Sequence, residues 1–166
     1  MALARILTTS ALVALCSGSI TAQVRPGIFG HLVMGVNGTA GEFCFVFDCT
    51  PRPFTAHAGE TLTLQVNAPF QTLFAIGASF GANSCVSFPQ VGNMLVLDQP
   101  VVVLMAGMVS HQSPILACWG GFEQVSLPLP AGLPSGLSFA TQAAAEVPTL
   151  NGTAPVFSVA VQTTIL

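Results

Sequence analysis

No lysine and no tyrosine occur anywhere in this chain. Charged residues make up 5% of its 166 residues, lysine and arginine together number three, and the formal net charge is −3. A nucleic-acid-binding face must cluster cations against phosphates, and three scattered arginines cannot form one. Disorder requires low hydrophobicity and high charge, whereas this chain is 52% hydrophobic. Long apolar runs are missing too. The longest candidate after the first segment, 101–109, is far short of the ~20 residues that cross a bilayer as a helix. It follows Asp98 and Pro100 and reads as a buried strand, so no transmembrane helix is expected in the mature chain.

What is present begins with an address. Arg5 precedes an apolar stretch over residues 6–15, and small residues follow as far as Ala22. A basic start, a short apolar stretch and a small-residue cleavage site make a secretory signal peptide. We expect a signal peptide at 1–22 and a single domain at 23–166. A lipoprotein signal ending at Cys16 fits less well, because a lipidated cysteine wants a small residue before it and Leu15 stands there. The expected location is therefore secreted or cell envelope. The length suits one domain with a real core.

Four cysteines lie beyond residue 22: Cys44, Cys49, Cys85 and Cys118. An even number in an exported chain points to two disulfides, for which three pairings exist. Cys44–Cys49 and Cys85–Cys118 are the expected pairs, the first for its closeness in sequence. Zinc would need paired Cys-x-x-Cys or histidines at ligand spacing, and the sequence has neither. No metal and no cofactor are expected.

Alternating apolar residues predict strands. Leu62, Leu64 and Val66 share one face of 61–67, Phe43, Phe45 and Phe47 another, and Val125, Leu127 and Leu129 a third. The last strand is expected to place Phe157, Val159, Val161 and Ile165 inward. Residues 141–146 contain Ala143, Ala144 and Ala145, which favour helix, but the flanking pattern through Phe139 is that of a strand. Turn signals stand between the runs, among them Ala58-Gly59, Ala68-Pro69 and Asn151-Gly152. Short strands at such spacing predict an all-β fold, an antiparallel β-sandwich of immunoglobulin-like or jelly-roll-like type. Prolines in 127–134 predict a sheet edge, or departure from the sheet, at that point.

The stretch from Ala58-Gly59-Glu60 through Leu62, Leu64 and Ala68-Pro69, then Leu73 to Ser79, resembles a group of exported bacterial β-sandwich proteins of unknown function. Their pattern is P-x-x-G-x-x-L-x-L-x-x-A-P, an L-G-x-S strand end, and an lPlP…GL…fQ passage. That passage corresponds here to Leu127-Pro128-Leu129-Pro130 through Leu137, Phe139 and Gln142. The likeness covers roughly residues 42–166, and departs in having Ala58 before Gly59 with no proline close by. It implies the sandwich and supplies no catalytic residues.

One catalytic-looking motif occurs. Gly77-Ala78-Ser79-Phe80-Gly81 fits G-x-S-x-G, which exposes a serine where a strand turns sharply into a helix. No helical period follows Ser79, so the motif reads as a small-residue strand end, with a small serine hydrolase as a remote alternative. His31, His57 and His111 stand isolated, and the acids Glu42, Asp48, Glu60, Asp98, Glu123 and Glu146 are scattered singly. Trp119 is the only tryptophan and the candidate platform for a ligand such as a glycan; core packing beside Cys118 is its plainer role. Asn37 and Asn151 each begin an Asn-Gly-Thr sequon, and Asn-Gly is equally a tight hairpin turn. With so few charges, the outer faces must be neutral and the edge strands lack lysine guards. The expectation is a non-enzymatic secreted or envelope protein, structural or adhesive, with self-association or an envelope partner. A glycan-binding module is the alternative.

Overall fold

The computed structural model describes residues 31–35, 49–88, 93–112, 120–149 and 152–166. The expected leader at 1–22, Asn37, the strand of Phe43, Phe45 and Phe47, Cys44, Cys118, Trp119 and Asn151 lie outside the described residues. Among the described residues all regular structure is strand: β1 (His31–Gly35), β2 (Arg52–Ala56), β3 (Thr61–Ala68), β4 (Leu73–Ser79), β5 (Val86–Phe88), β6 (Asn93–Leu95), β7 (Val102–Met108), β8 (His111–Gln112), β9 (Gly121–Pro128), β10 (Ser138–Thr149), β11 (Gly152–Phe157) and β12 (Val161–Ile165). One sheet has the order β1-β3-β9-β8. The other runs β2-β12-β10-β4-β7, with β11 also on β10, and β5 and β6 form a separate ribbon.

The two main sheets pack face to face through the rows that alternation predicts. Leu62, Leu64 and Val66 of β3 are fully buried and meet Phe74 and Ile76 of β4, Ala143 and Ala145 of β10, and Val161 and Ile165 of β12 in one core. Burying each such aliphatic side chain contributes ~1.5–3 kcal/mol. Val125 and Leu127 of β9 sit opposite Leu64 and Leu62 in register and complete this layer. The fold is thus the expected all-β sandwich. Its pairings are antiparallel with one correction: β12 runs parallel to β2 along Val161–Ile165. At Pro128 the chain leaves β9, as the prolines foretold.

The alanine-rich segment is a strand, and its surroundings explain why helix propensity loses. β10 pairs with β4 on one side and with β12 and β11 on the other. Ala143 faces the main core, while Ala140 faces a second cluster with Ala82, Val96, Leu97 and Ala160 on the sheet's far side. A strand hydrogen-bonded on both edges and covered on both faces leaves room for small side chains, and tertiary pairing outweighs their intrinsic preference.

The cover on the far side comes from the described parts, 80–88 and 93–101, of the excursion 80–101. It is fastened by the Val96 N–H, which donates to the buried Gln142 Oε1 (3.0 Å), while Gln142 Nε2 donates to the Ser158 carbonyl (2.8 Å). A disulfide joins Cys49 to Cys85 across 36 residues, with Cα atoms 5.6 Å apart. The expected pairs Cys44–Cys49 and Cys85–Cys118 are therefore incorrect. Closeness in sequence was a poor guide, because the Arg52 N–H donates to the Ala160 carbonyl (2.8 Å), setting the start of β2 beside the residue that packs under the excursion. In the chain-entropy picture a loop of this length is worth about 3–4 kcal/mol.

The last segment also departs from expectation. One continuous strand with Phe157 and Val159 inward is replaced by β11 and β12, separated by residues 158–160. Ala144 pairs with Phe157 and Thr141 with Val161, so three residues on this side face two on β10. The extra residue shifts the alternation. Val156 faces the core before the break, and Val161, Thr163 and Ile165 are buried after it. Ser158 fills the gap: its Oγ accepts from the Ala143 N–H (2.9 Å) and donates to the Val159 carbonyl (2.8 Å).

Glycine 77 lies beneath the excursion, where a Cβ would meet Val101 Cγ1 at 2.8 Å and Leu97 Cδ1 at 3.2 Å. Gly77→Ala is expected to cost ~1–3 kcal/mol by overpacking. Gly132→Ala, where a Cβ meets nothing within 4 Å, is expected to be near neutral. Thermal denaturation of the two variants beside the parent checks this contrast.

Candidate interaction surface

β7 closes the six-stranded sheet and, among the described residues, pairs with β4 alone. The sequence Val102-Val103-Leu104-Met105-Ala106-Gly107-Met108 carries no charge, and every residue in it is exposed. The apolar side chains along it are 38–62% exposed, and Leu73, opposite Met108 on β4, is 57% exposed. The expectation of a buried strand at 101–109 is corrected here; Val109 is fully buried and Val101 half-buried, but the residues between them are not. A continuous apolar run signals cover on both faces only for a strand inside a sheet. At an edge, the main core reaches one side of β4, and the excursion covers the other side no farther than Val101 and Leu97 over Gly77.

The pairing with β4 slips by one residue between Ile76 and Gly77, leaving Leu104 as a bulge. Met105–Met108 remains in regular register against Leu73–Ile76. Two of the other edges differ. β2 carries Arg52 and Pro53, and β8 is two residues long and bears His111, whereas the edge strand β1 is five residues without proline, acid, lysine or arginine. A cation, a proline and extreme shortness are the devices by which sheets guard an edge. β7 has its bulge and nothing else.

Sequence reasoning missed one polar cluster. His111 and Glu123, twelve positions apart, meet with Ser110 at the β8–β9 junction. Glu123 Oε2 accepts from Ser110 N (3.1 Å) and Ser110 Oγ (2.7 Å), and lies 3.2 Å from His111 Nδ1. The His111 ring stacks on Phe122 with centroids 5.3 Å apart. The residue types suggest a proton relay, but the geometry does not. A relay sets serine and acid on opposite nitrogens of the imidazole. Here both lie on Nδ1, Ser110 Oγ being 3.2 Å from it, and the serine proton points to the carboxylate. The cluster clasps β8 to β9. Only the pairing of β8 with β9 brings these groups together, so neither short spacing nor motif could have revealed it.

The G-x-S-x-G residues have structural work instead. β4 ends at Ser79 and no helix follows. Ser79 is buried and its hydroxyl donates to the Gly81 carbonyl. Gly81 leaves space for Asp98, whose Oδ2 would clash with an added Cβ. The Asp98 carboxylate accepts from Asn83 N (3.2 Å), Asn83 Nδ2 (3.0 Å), Ser84 N (2.7 Å) and Ser84 Oγ (2.7 Å), which fastens the chain just before Cys85. His57 sits in the turn before β3, where its N–H donates to Glu60 Oε2 (2.8 Å). Among the described residues no group of three His, Cys, Asp or Glu is placed to hold a metal.

The face of the four-stranded sheet turned from the core carries amides. Gln124 Nε2 donates to Gln65 Oε1 (2.8 Å), and Gln65 Nε2 donates to the buried Asn67 Oδ1 (2.9 Å). Phe122 stands opposite Asn67 in register and brings the His111–Phe122 ring pair to the end of this row. Trp119, the platform expected from sequence, lies outside the described residues.

Comparison with known proteins finds similarity among solved structures. No protein-family model matches the chain, and no curated protein matches it. A solved structure of a cellulose-active polysaccharide monooxygenase from M. thermophila aligns with 78% of this chain at 13% identity and a TM-score of 0.35. The chain spans 57% of that protein's length.

Two carboxylates give the fold a predictable acid response. The Ser84 hydroxyl, followed by the Asn83 and Ser84 donors, holds Asp98 below its ordinary value of 3.8. The Ser110 hydroxyl, followed by the Ser110 N–H and His111, holds Glu123 below 4.5. A carboxylate more acidic in the folded than in the unfolded chain stabilises fully above its unfolded value, and that stability is lost as the pH falls through the folded one. The midpoint of thermal unfolding should therefore drop as the pH is lowered below ~4, and the drop should be smaller in Asp98→Asn. Melts recorded across the acid range check this.

Proposed function

We propose that the protein is a non-enzymatic β-sandwich of the cell envelope or extracellular space, structural or adhesive, that works by packing against neighbours. The observation that carries this reading is β7, a seven-residue strand at a sheet edge, uncharged and exposed along its whole length. Monomeric soluble proteins rarely leave an apolar patch of this kind uncovered unless it meets a partner. The Cys49–Cys85 disulfide supports an oxidising location, and the near absence of charge lowers the repulsion between neighbours.

A glycan-binding module is the second reading. It is favoured by the Gln65–Gln124 pair beside the Phe122 and His111 rings, since flat amides and ring faces suit a neutral polyhydroxylated ligand. The hydrolase alternative has the least support, because Ser79 is buried and its hydroxyl is committed to Gly81.

Size-exclusion chromatography with light scattering, on chain recovered through an oxidising export route, tests the first reading. Assemblies that grow with concentration are expected; a strict monomer at every concentration would overturn it and bring the glycan module forward. Ser79→Ala is expected to lower the melting temperature and to leave hydrolysis of a simple aryl ester at background before and after substitution.

A further inference from the structure

We infer that β7 pairs with β7 of a second copy of this chain, antiparallel about a two-fold axis, so that two six-stranded sheets become one continuous sheet. The inference rests on the packing role proposed above and names its partner.

An edge strand presents unpaired backbone N–H and C=O groups along its free side, and a like strand satisfies them. Three observations favour a second copy as the occupant. The strand has no charge between Val102 and Met108, so two copies meet without like-charge opposition. Its regular stretch is short and mixes large and small residues: Met105, Ala106, Gly107 and Met108. Two-fold antiparallel pairing sets the residue at the axis against its own copy; with Ala106 there, Met105 lies against the second copy's Gly107 and Gly107 against its Met105. Each Met105 thus has a glycine opposite it and room to adapt. The bulge at Leu104 falls outside this stretch and limits it on one side. The exposed apolar surface is also sizeable. With β7 side chains 38–62% exposed and Leu73 beside them, on the order of 500 Å² of each copy is open to such a contact, half of the ~1,000 Å² in total that marks a specific interface. A closed two-fold contact is self-complementary, so it forms dimers and not open fibres.

The test compares the parent chain with Ala106→Lys, Met108→Lys and Ser126→Lys by light scattering over a wide dilution series. Circular dichroism and thermal melts establish that each variant is folded. Ser126 is exposed on the other sheet, so its substitution adds the same charge away from β7. The parent is expected to dissociate from dimer to monomer on dilution. Ala106→Lys and Met108→Lys are expected to weaken association by at least about tenfold, and Ser126→Lys to leave it unchanged. Hydrogen exchange on the parent gives an independent readout, with those amides of Met105–Met108 that point away from β4 slow at high concentration and fast after dilution.

Assembly that persists undiminished in the folded Ala106→Lys and Met108→Lys chains would overturn the β7 contact while leaving a packing role intact. Equal loss in Ser126→Lys would overturn it too, by showing that added charge acts anywhere. A monomeric parent would overturn both, and slow exchange of the β7 amides that point away from β4 in such a monomer would place another segment of the chain on that edge.

Discussion

The arrangement depends on β10 being claimed from four directions. It is hydrogen-bonded to β4 on one side and to β11 and β12 on the other. One of its faces meets the core between the main sheets and the other meets the excursion 80–101. Such a strand takes only small residues or polar ones that find partners, and it has both. Ala140, Ala143 and Ala145 fill the narrow spaces, and Gln142 uses its amide to fasten Val96 and Ser158. The same crowding continues into β4, where Gly77 underlies Leu97 and Val101. Sandwich, excursion and disulfide are thus all organised around one strand.

The uncovered edge is the other side of that arrangement. The excursion protects the middle of the six-stranded sheet and stops short of β7, whose partners among the described residues end at β4. An apolar strand in that position has backbone and side chains unsatisfied in the same direction. Charge usually guards such an edge, and this sequence has almost none to offer. Composition and topology therefore lead to the same surface from different starting points.

Much of the fold was legible from alternation, and its failures have common causes. Leu62, Leu64 and Val66 could be assigned inward because one face of β3 is buried and the other is not. The alanines of β10 could be read as strand from the residues flanking them. By contrast, the apolar run at 101–109 looked the same whether central or at an edge, since position in a sheet is a property of pairings between distant segments. Cys49 found Cys85 because β2 lies parallel to β12, a pairing no local pattern reveals. His111 and Glu123 seemed isolated for the same reason. Of the candidate surface, the sequence announced the missing charge and the apolar run but not the exposure that gives them meaning.

The three residues 158–160 that face two on β10 act on the chain as a frame shift. Before them, even-numbered side chains such as Val156 point to the core; after them, odd-numbered Val161, Thr163 and Ile165 do. Loss of one residue in this short span would leave two facing two, a regular ladder in which Val161, Thr163 and Ile165 still face the core. The inward side of β12 is therefore fixed by its pairing with β10, and counting along the chain from β11 misses it by one.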